Sequence, residues 1–231
     1  MTSKTSRFVD LQLFVGPGGL DDAARRAANE ALFVVYEPLR LWLREARLRA
    51  PFAKLLITIV DARTMATHHG QVSVAGGVCE VLHALPLGEA VEHVRDHRWA
   101  LRLVSDSLER VERQRGWHSA QLAAHVNGLA ECALPLTHFF SNLVRTDRRS
   151  GVTFSPWIST TPGSTKIGVR LANGHERDVL LVAKPGPLFI EDEFPMKRAV
   201  FRRHRFVLVG SDGTELAGVD VPDADGENRA P

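Results

Sequence analysis

The sequence has few cysteines and little net charge, and each scarcity excludes a class of protein. Its only two cysteines, Cys79 and Cys132, lie far apart among small apolar residues. We therefore predict buried thiols in a reducing compartment, and neither a disulfide framework nor a metal site. Lys and Arg number 29 against 27 Asp and Glu, and a formal net charge of +2 gives no reason to expect a nucleic acid or a membrane as partner.

Long apolar segments are also lacking. No run of about 18 apolar residues occurs, as a membrane-spanning helix would require. The N-terminal residues lead into a predicted strand without the apolar core of a signal peptide. We therefore expect a protein without a membrane span or a signal peptide, located in the cytoplasm.

The apolar pattern that is present predicts an α+β fold. With 231 residues and 44% apolar content, the chain can bury a substantial core. Residues Phe8 to Val15 alternate between apolar and polar, as in a half-buried strand, and Leu55 to Val60 is apolar on both faces, as in a central strand. We expect an antiparallel or mixed sheet in a single domain over 1–221, followed by a disordered polar tail over 222–231.

Two helical regions are predicted to pack on this sheet. Apolar residues recur at helical spacing over 21–49, where Pro38 predicts a broken N-terminal helix. A long helical hairpin is predicted over about 88–147, with Gly116 at the left-handed position that ends its first helix. In its second helix the apolar residues alternate at spacings of four and three, which is typical of helices packed nearly antiparallel.

The C-terminal third returns to a β pattern. Asn173-Gly174 is the strongest two-residue hairpin turn in the chain, and it lies between two segments of alternating polarity. A second hairpin is predicted around Ser211 to Gly213, which also separates two apolar segments. Both turns predict antiparallel strands on either side.

Eight cations form two clusters, which we identify as the candidate partner-binding residues. They are Arg145, Arg148 and Arg149 after the helical hairpin, and Lys197, Arg198, Arg202, Arg203 and Arg205 near the C-terminus. Either cluster would attract an acidic protein surface. The 197–205 cluster would also attract nucleic acid, and Phe201 and Phe206 are close enough in sequence to stack on bases. The balanced overall charge favours the protein partner.

No segment carries a strong catalytic, cofactor or metal motif, so we predict no catalytic residues, no cofactor and no bound metal. No serine lies in a GxSxG elbow, and the glycine-rich turn at 16–19 lacks the Lys-Ser/Thr of a phosphate-binding loop. His93 and His97 are four residues apart on a predicted helix but have no third ligand at a recognisable spacing. His68 and His69, which follow a predicted central strand, remain candidates for a cryptic active site.

One pair of polar segments resembles an enzyme signature. Ile158-Ser159-Thr160-Thr161 and the later Glu191-Asp192-Glu193 are similar to the Ser-Thr-Ser strand and the Glu-x-Glu element of ADP-ribosyltransferases, although Thr161 departs from the strand motif. The resemblance implies a nicotinamide pocket and a final glutamate, Glu193, that orients the nucleophile. Arg7 is the only candidate for the arginine of the first strand. This transferase function is our alternative prediction, and nucleic-acid binding is the second alternative.

The helical hairpin carries the other resemblance. Its run from Ala100 to Trp117 is similar to the helix-Gly-Trp turn of some bacterial immunity proteins that neutralise polymorphic toxins. The resemblance implies a cytoplasmic protein without a cofactor that blocks a toxin's active site or its required motion by direct contact. Because the titratable groups are scattered along the chain, a non-enzymatic inhibitor of a cognate toxin is our first functional prediction.

Overall fold

The computed structural model describes residues 5–16, 20–67, 72–84, 96–186 and 194–222. It combines helices with several sheets, which confirms the α+β class. The chain divides into two compact units, residues 1–136 (unit 1) and residues 137–231 (unit 2). The prediction of a single domain over 1–221 stays a prediction. The predicted tail lies outside the described residues from residue 223 onward.

Unit 1 contains a mixed four-stranded sheet and a short strand pair. Its strands are β1 (Ser6–Arg7), β2 (Asp10–Val15), β3 (Arg49–Ala50), β4 (Lys54–Val60), β5 (Val72–Ala75) and β6 (Val78–Ala84). The sheet has the order β2-β4-β6-β5, in which β2, β4 and β6 are parallel and β5 is antiparallel to β6. β1 pairs with β3. The segment predicted as a central strand is β4, which does lie inside the sheet.

Four helices are described in unit 1, and all but the short second one contribute residues to one shared core. They are α1 (Asp22–Ala46), α2 (Ala62–Thr67), α3 (His97–Arg115) and α4 (Ala120–Glu131). α1 connects the parallel strands β2 and β4, and its apolar stripe is buried together with residues of those strands and of α3 and α4. Because its apolar residues recur every three or four positions, α1 has one continuous apolar face that is buried along the length of the helix.

α1 runs unbroken through Pro38, so the predicted break of the N-terminal helix is wrong. A proline inside a helix costs about 3 kcal/mol, because it lacks the N–H donor and its ring clashes with the preceding turn. The flanking side chains of Leu32, Val35, Leu39 and Leu43 are at most 1% exposed. Burying each contributes about 1.5 to 3 kcal/mol, and together they outweigh the proline.

The two packed helices α3 and α4 end before the predicted hairpin does. After Glu131 the chain forms β7 (Thr137–Phe139), a 3₁₀ turn (Ser141–Leu143) and β8 (Arg145–Thr146). The prediction of helix up to residue 147 is therefore wrong. Pro135 lacks the N–H that a further helical turn requires, and the apolar residues that suggested the helix, Leu136 and Leu143 among them, are buried outside any α-helix. The predicted start at 88–95 lies outside the described residues.

The turn between α3 and α4 is anchored to the core of unit 1. Gly116 has the predicted left-handed conformation (φ 67°), and its N–H donates to the Glu112 carbonyl at 2.8 Å. The Trp117 indole N–H donates to the Arg49 carbonyl at 3.0 Å. Its ring packs edge to face on Phe8 and Phe52, with centroids 5.5 and 5.1 Å away.

Unit 2 is built from two antiparallel sheets. The larger contains β7, β8, β9 (Thr153–Thr161), β10 (Ser164–Asn173) and β11 (His175–Pro185), and the smaller contains β12 (Met196–Arg202), β13 (Arg205–Gly210) and β14 (Glu215–Asp220). Both predicted hairpin turns are present, with Gly174 (φ 74°) between β10 and β11 and Gly213 (φ 86°) between β13 and β14. Each glycine takes a left-handed conformation that other residues rarely adopt.

Three phenylalanine rings connect the two sheets of unit 2. Phe154 of β9 stacks on Phe206 of β13, with 4.9 Å between the ring centroids. It also meets Phe201 of β12 edge to face at 5.4 Å. Phe154 and Phe206 are fully buried, so the cluster forms the centre of contact between the sheets.

Arg47 follows α1 in the left-handed conformation (φ 54°), and its N–H donates to the Leu43 carbonyl. We expect Arg47→Gly to raise the free energy of unfolding by about 0.5 to 1 kcal/mol, because glycine takes this conformation without a Cβ clash. Urea denaturation of the wild type and the variant measures the change. Arg49→Gly, in β3, serves as the control and should lower stability. A lower midpoint for Arg47→Gly would contradict the prediction.

Gly168 of β10 lies beneath the Trp157 indole. A Cβ at this position would overlap that ring and approach the Val179 carbonyl oxygen to 2.7 Å. We expect Gly168→Ala to destabilise unit 2 by about 2 to 3 kcal/mol through this overpacking. Gly163→Ala is the matched control, because a Cβ there has no neighbour within 4 Å. Equal melting temperatures for the two variants would show that the indole and backbone move aside at little cost.

Candidate functional site

The β12–β13 hairpin presents four side chains at its tip. Arg202 and Arg205 are paired across the two strands, and Arg203 and His204 form the turn between them. All four residues are exposed. Arg203 has a left-handed backbone (φ 57°), which is uncommon for a residue other than glycine.

Two of the predicted partner-binding cations are engaged within unit 2. Arg145 donates hydrogen bonds of 2.7 to 3.1 Å to the backbone carbonyls of Asn142, Val144 and Ala199. Arg205 donates to the Glu215 carboxylate at 2.7 Å and lies 3.7 Å from that of Asp220. These contacts use both guanidinium groups to hold the backbone and strands, which leaves fewer of their donors for a partner.

Arg148 and Arg149 lie on a compact exposed turn over 147–151. The Asp147 carboxylate accepts hydrogen bonds from the Ser150 N–H and hydroxyl, both at 2.8 Å, and from the Arg149 N–H at 3.2 Å. These hydrogen bonds lower the pKa of Asp147, and the bond from the Ser150 N–H has the largest effect. The ionised carboxylate therefore holds the turn at neutral pH. Neither arginine forms an ion pair with the residues that the structure describes.

Both turns extend from the same aromatic cluster. Phe201 directly precedes the 202–205 turn, Phe206 directly follows it, and Phe154 lies three residues after the 147–151 turn. Phe154 packs on both other rings. Each turn therefore begins within three residues of one aromatic cluster. We call the exposed arginines that follow from it the basic end of unit 2: Arg148, Arg149, Arg202 and Arg203.

Lys197 and Arg198 do not belong to the basic end. They are exposed, but they lie at the other end of β12. At about 3.3 Å per residue, Lys197 is about 16 Å along the strand from Arg202. The cluster that is continuous in sequence is thus divided in the fold, while the two clusters that are separate in sequence are partly joined.

The aromatic residues predicted to stack on bases are part of the core cluster. Phe206 is fully buried. Phe201 is half-buried against it, with 5.7 Å between the ring centroids. This pair is therefore not available as a base-stacking platform, which such single-strand sites require.

A buried His–Ser pair in unit 1 has the wrong hydrogen-bond direction for a nucleophile. His83 Nε2 lies 2.7 Å from the Ser107 hydroxyl, which lies 2.7 Å from the Leu103 carbonyl. A carbonyl only accepts, so the hydroxyl donates to Leu103 and the His83 N–H donates to Ser107. The imidazole therefore does not act as a base toward Ser107. With Ser107 fully buried and His83 4% exposed, the pair is part of the core.

The residues of the transferase resemblance are described only in part. Ser159 and Thr160 point to opposite faces of β9 and are 6% and 1% exposed. Arg7 lies in the separate strand pair of unit 1, where its guanidinium donates to a backbone carbonyl of α1 at 2.6 Å. Glu191 and Glu193 lie outside the described residues.

The remaining histidine and cysteine predictions have mixed outcomes. Three of the candidate histidines lie outside the described residues: His68, His69 and His93. His97 is hydrogen-bonded through Nε2 to the Cys132 carbonyl at 2.9 Å. Cys79 is buried, which raises the pKa of its thiol to about 11. Cys132 is exposed, so the prediction of a buried thiol there is wrong; it follows the last residue of α4, beyond the packed stripe.

A groove between α3 and α4 has no counterpart in the sequence-based predictions. It has a volume of about 120 Å³ and lies beside the anchored Trp117. Its lining includes Glu109, Glu112, His118 and Asn127. The sequence feature that could have indicated this groove is the three-residue spacing of the two glutamates, which places them on one face of α3.

Comparisons with known proteins add no functional assignment. No protein-family model matches the chain. Neither the curated proteins nor the solved structures contain a match. Within the described residues, no group of three or more His, Cys, Asp or Glu side chains is placed to hold a metal ion, and no helix is long and apolar enough to cross a membrane.

Burial lowers the pKa of His83 from 6.5 to about 4. Between these pH values the unfolded chain binds more protons than the folded chain, so the free energy of unfolding falls as the pH falls. We expect this residue alone to remove up to about 3 kcal/mol between pH 6.5 and pH 4. Burial lowers the pKa of His125 to about 4 as well, so His125 also lowers the free energy of unfolding as the pH falls. Urea denaturation across this pH range measures the effect.

His83→Asn separates the titration from the packing. The amide retains a donor for Ser107 but does not titrate, so the pH dependence should flatten by the share that His83 contributes. The exposed His175 supplies the control variant, His175→Asn, whose pH profile should match the wild type. A wild-type slope in His83→Asn would show that other groups cause the acid instability.

Proposed function

We propose that this chain is a non-enzymatic binding protein that recognises an acidic surface of a protein partner through the basic end of unit 2. The function that agrees best with this surface is that of a cytoplasmic immunity protein that inhibits a cognate bacterial toxin. The resemblance of the Ala100–Trp117 region to the helix-Gly-Trp turn of such proteins supports the same proposal. Inhibition by contact requires no cofactor.

The observation that carries the proposal is the set of exposed arginines without ion pairs at the basic end. Of the adjacent acids, Glu215 and Asp220 face Arg205, and the ionised Asp147 holds its own turn, where its charge offsets part of that of Arg148 and Arg149. In a chain with a net charge of only +2, such a local patch provides a positive field that attracts and orients an acidic partner.

The backbone of Arg203 supports a functional reading of this patch. A non-glycine residue in the left-handed region costs about 1 to 2 kcal/mol, and glycine would avoid this cost. Residues with a strained backbone cluster at functional sites, where the contribution of the side chain to function offsets the free-energy cost of the backbone conformation. Arg47 has the same conformation at the end of α1, so the backbone of Arg203 supports a role in recognition only together with the exposed arginines beside it.

A protein partner explains the arrangement better than a nucleic acid does. The patch lacks an available aromatic platform, because Phe206 is buried and Phe201 packs against it. Lys197 and Arg198 lie about 13 to 16 Å from Arg202 along β12, so the cations do not form one track along a phosphate backbone.

Arg203→Gly tests the proposal directly, because it removes the charge and also relaxes the backbone. We expect binding to the partner to weaken by about tenfold or more, as for a charged residue near the centre of an interface, while the free energy of unfolding is unchanged or higher. Calorimetric titration against the product of the neighbouring gene, in a catalytically inactive form, measures the affinity.

The matched control is Arg47→Gly, which removes an arginine from the other left-handed non-glycine position in the described residues. Its affinity should equal that of the wild type. The proposal is wrong if no complex forms with the neighbouring product, or if Arg203→Gly binds as tightly as Arg47→Gly. Tight binding to duplex DNA that falls steeply with salt would instead favour the nucleic-acid alternative.

A further inference from the structure

We propose that the groove between α3 and α4 binds a single arginine side chain on the surface of a protein partner. This site lies in unit 1 and has the opposite charge character to the basic end of unit 2. It goes beyond the proposed function and does not depend on it, since it is argued from separate residues.

The groove has a rigid aromatic wall. Trp117 is held by its N–H bond to the Arg49 carbonyl at 3.0 Å and by edge-to-face contacts with Phe8 and Phe52. The indole is therefore fixed before any ligand arrives, so little side-chain freedom is lost on binding. An indole face is the best of the aromatic surfaces for a cation, and a planar guanidinium stacks on it.

Two carboxylates supply the complementary charge. Glu109 and Glu112 line the groove from one face of α3 and are exposed, and Glu112 lies 2.9 Å from His118 Nδ1. This contact holds the Glu112 carboxylate beside His118. The nearby Arg115 forms no ion pair with either glutamate in the described residues, and its guanidinium donates to the Val72 carbonyl at 3.0 Å.

The size and the remaining lining fit a guanidinium better than other cations. A volume of about 120 Å³ is sufficient for one side-chain head. The Asn127 amide and the Ser105 hydroxyl add neutral polar groups to the lining. Arginine has donors in a fixed plane that reach two acceptors while its face rests on the indole, whereas lysine has a compact, strongly hydrated ammonium. The two carboxylates disfavour anionic ligands.

The test uses the full chain and a peptide probe, acetyl-Gly-Arg-Gly-amide. Its citrulline counterpart has nearly the same shape but no charge. Binding is followed by the Trp117 indole N–H resonance in ¹H–¹⁵N spectra, identified by its loss in Trp117→Phe. We expect a saturable shift with an affinity on the order of millimolar for one side chain, and binding at least about fivefold weaker for citrulline.

Two variants complete the test. The double variant Glu109→Gln and Glu112→Gln should abolish the shift, whereas Asp106→Asn, an exposed acid of α3 outside the groove, should retain it. Unchanged resonances elsewhere in the spectra show that each variant is folded. The proposal is overturned if the citrulline peptide binds equally well, if the double variant binds as the wild type does, or if Asp106→Asn loses binding to the same extent.

Discussion

The packing of Phe154 on Phe206 is the contact on which unit 2 and its candidate surface depend. Each of the two sheets has an apolar face that must be covered, and these rings supply the cover at the point where the strands end. A buried phenylalanine contributes about 1.5 to 3 kcal/mol, and a ring pair adds about 0.5 to 1.5 kcal/mol. Because both basic turns begin next to these rings, the core determines where the arginines lie.

The interior of unit 1 shows why residue type alone does not identify an active site. His83 and Ser107 are a possible catalytic pair by composition, yet their hydrogen bonds run from the histidine to the serine to a backbone carbonyl. Glu37 and Arg40 form a second buried polar pair, with two hydrogen bonds of 2.7 Å between them. Buried polar groups require such partners whether or not a reaction takes place, so satisfied pairs are evidence for packing.

The sequence predicts the features of this fold that depend on neighbouring residues. The Gly116 cap and the hairpin turns at Gly174 and Gly213 follow from backbone conformations that favour glycine, and the buried face of β2 follows from alternation. Over 132–147 the apolar spacing suits either a helix or a series of short buried segments, and the prediction of a helix there is wrong. The break predicted at Pro38 is also wrong, because burial of the surrounding apolar stripe outweighs the cost of a proline inside the helix.

The candidate surface was predictable in its residue types but not in its grouping. Arg148 and Arg203 are 55 positions apart in the sequence, and only the pairing of β8 with β9 and the contact of β9 with β13 bring their turns to one cluster. Conversely, Arg145 and Arg205 look equivalent to their neighbours in sequence, but hydrogen bonds to carbonyls and carboxylates occupy their guanidinium groups. Such long-range pairings are not encoded in any local pattern.

The basic residues of unit 2 differ in what their side chains contact. Arg145 and Arg205 donate hydrogen bonds to carbonyls and carboxylates, whereas Arg148, Arg149 and Arg203 lie exposed on turns. A turn exposes a side chain without burying its charge, so these arginines keep their hydration in the folded chain. At Arg203 the chain also accepts backbone strain that glycine would remove. That cost falls on the folded state of unit 2, and under the proposed function contact of Arg203 with an acidic partner would offset it only on binding.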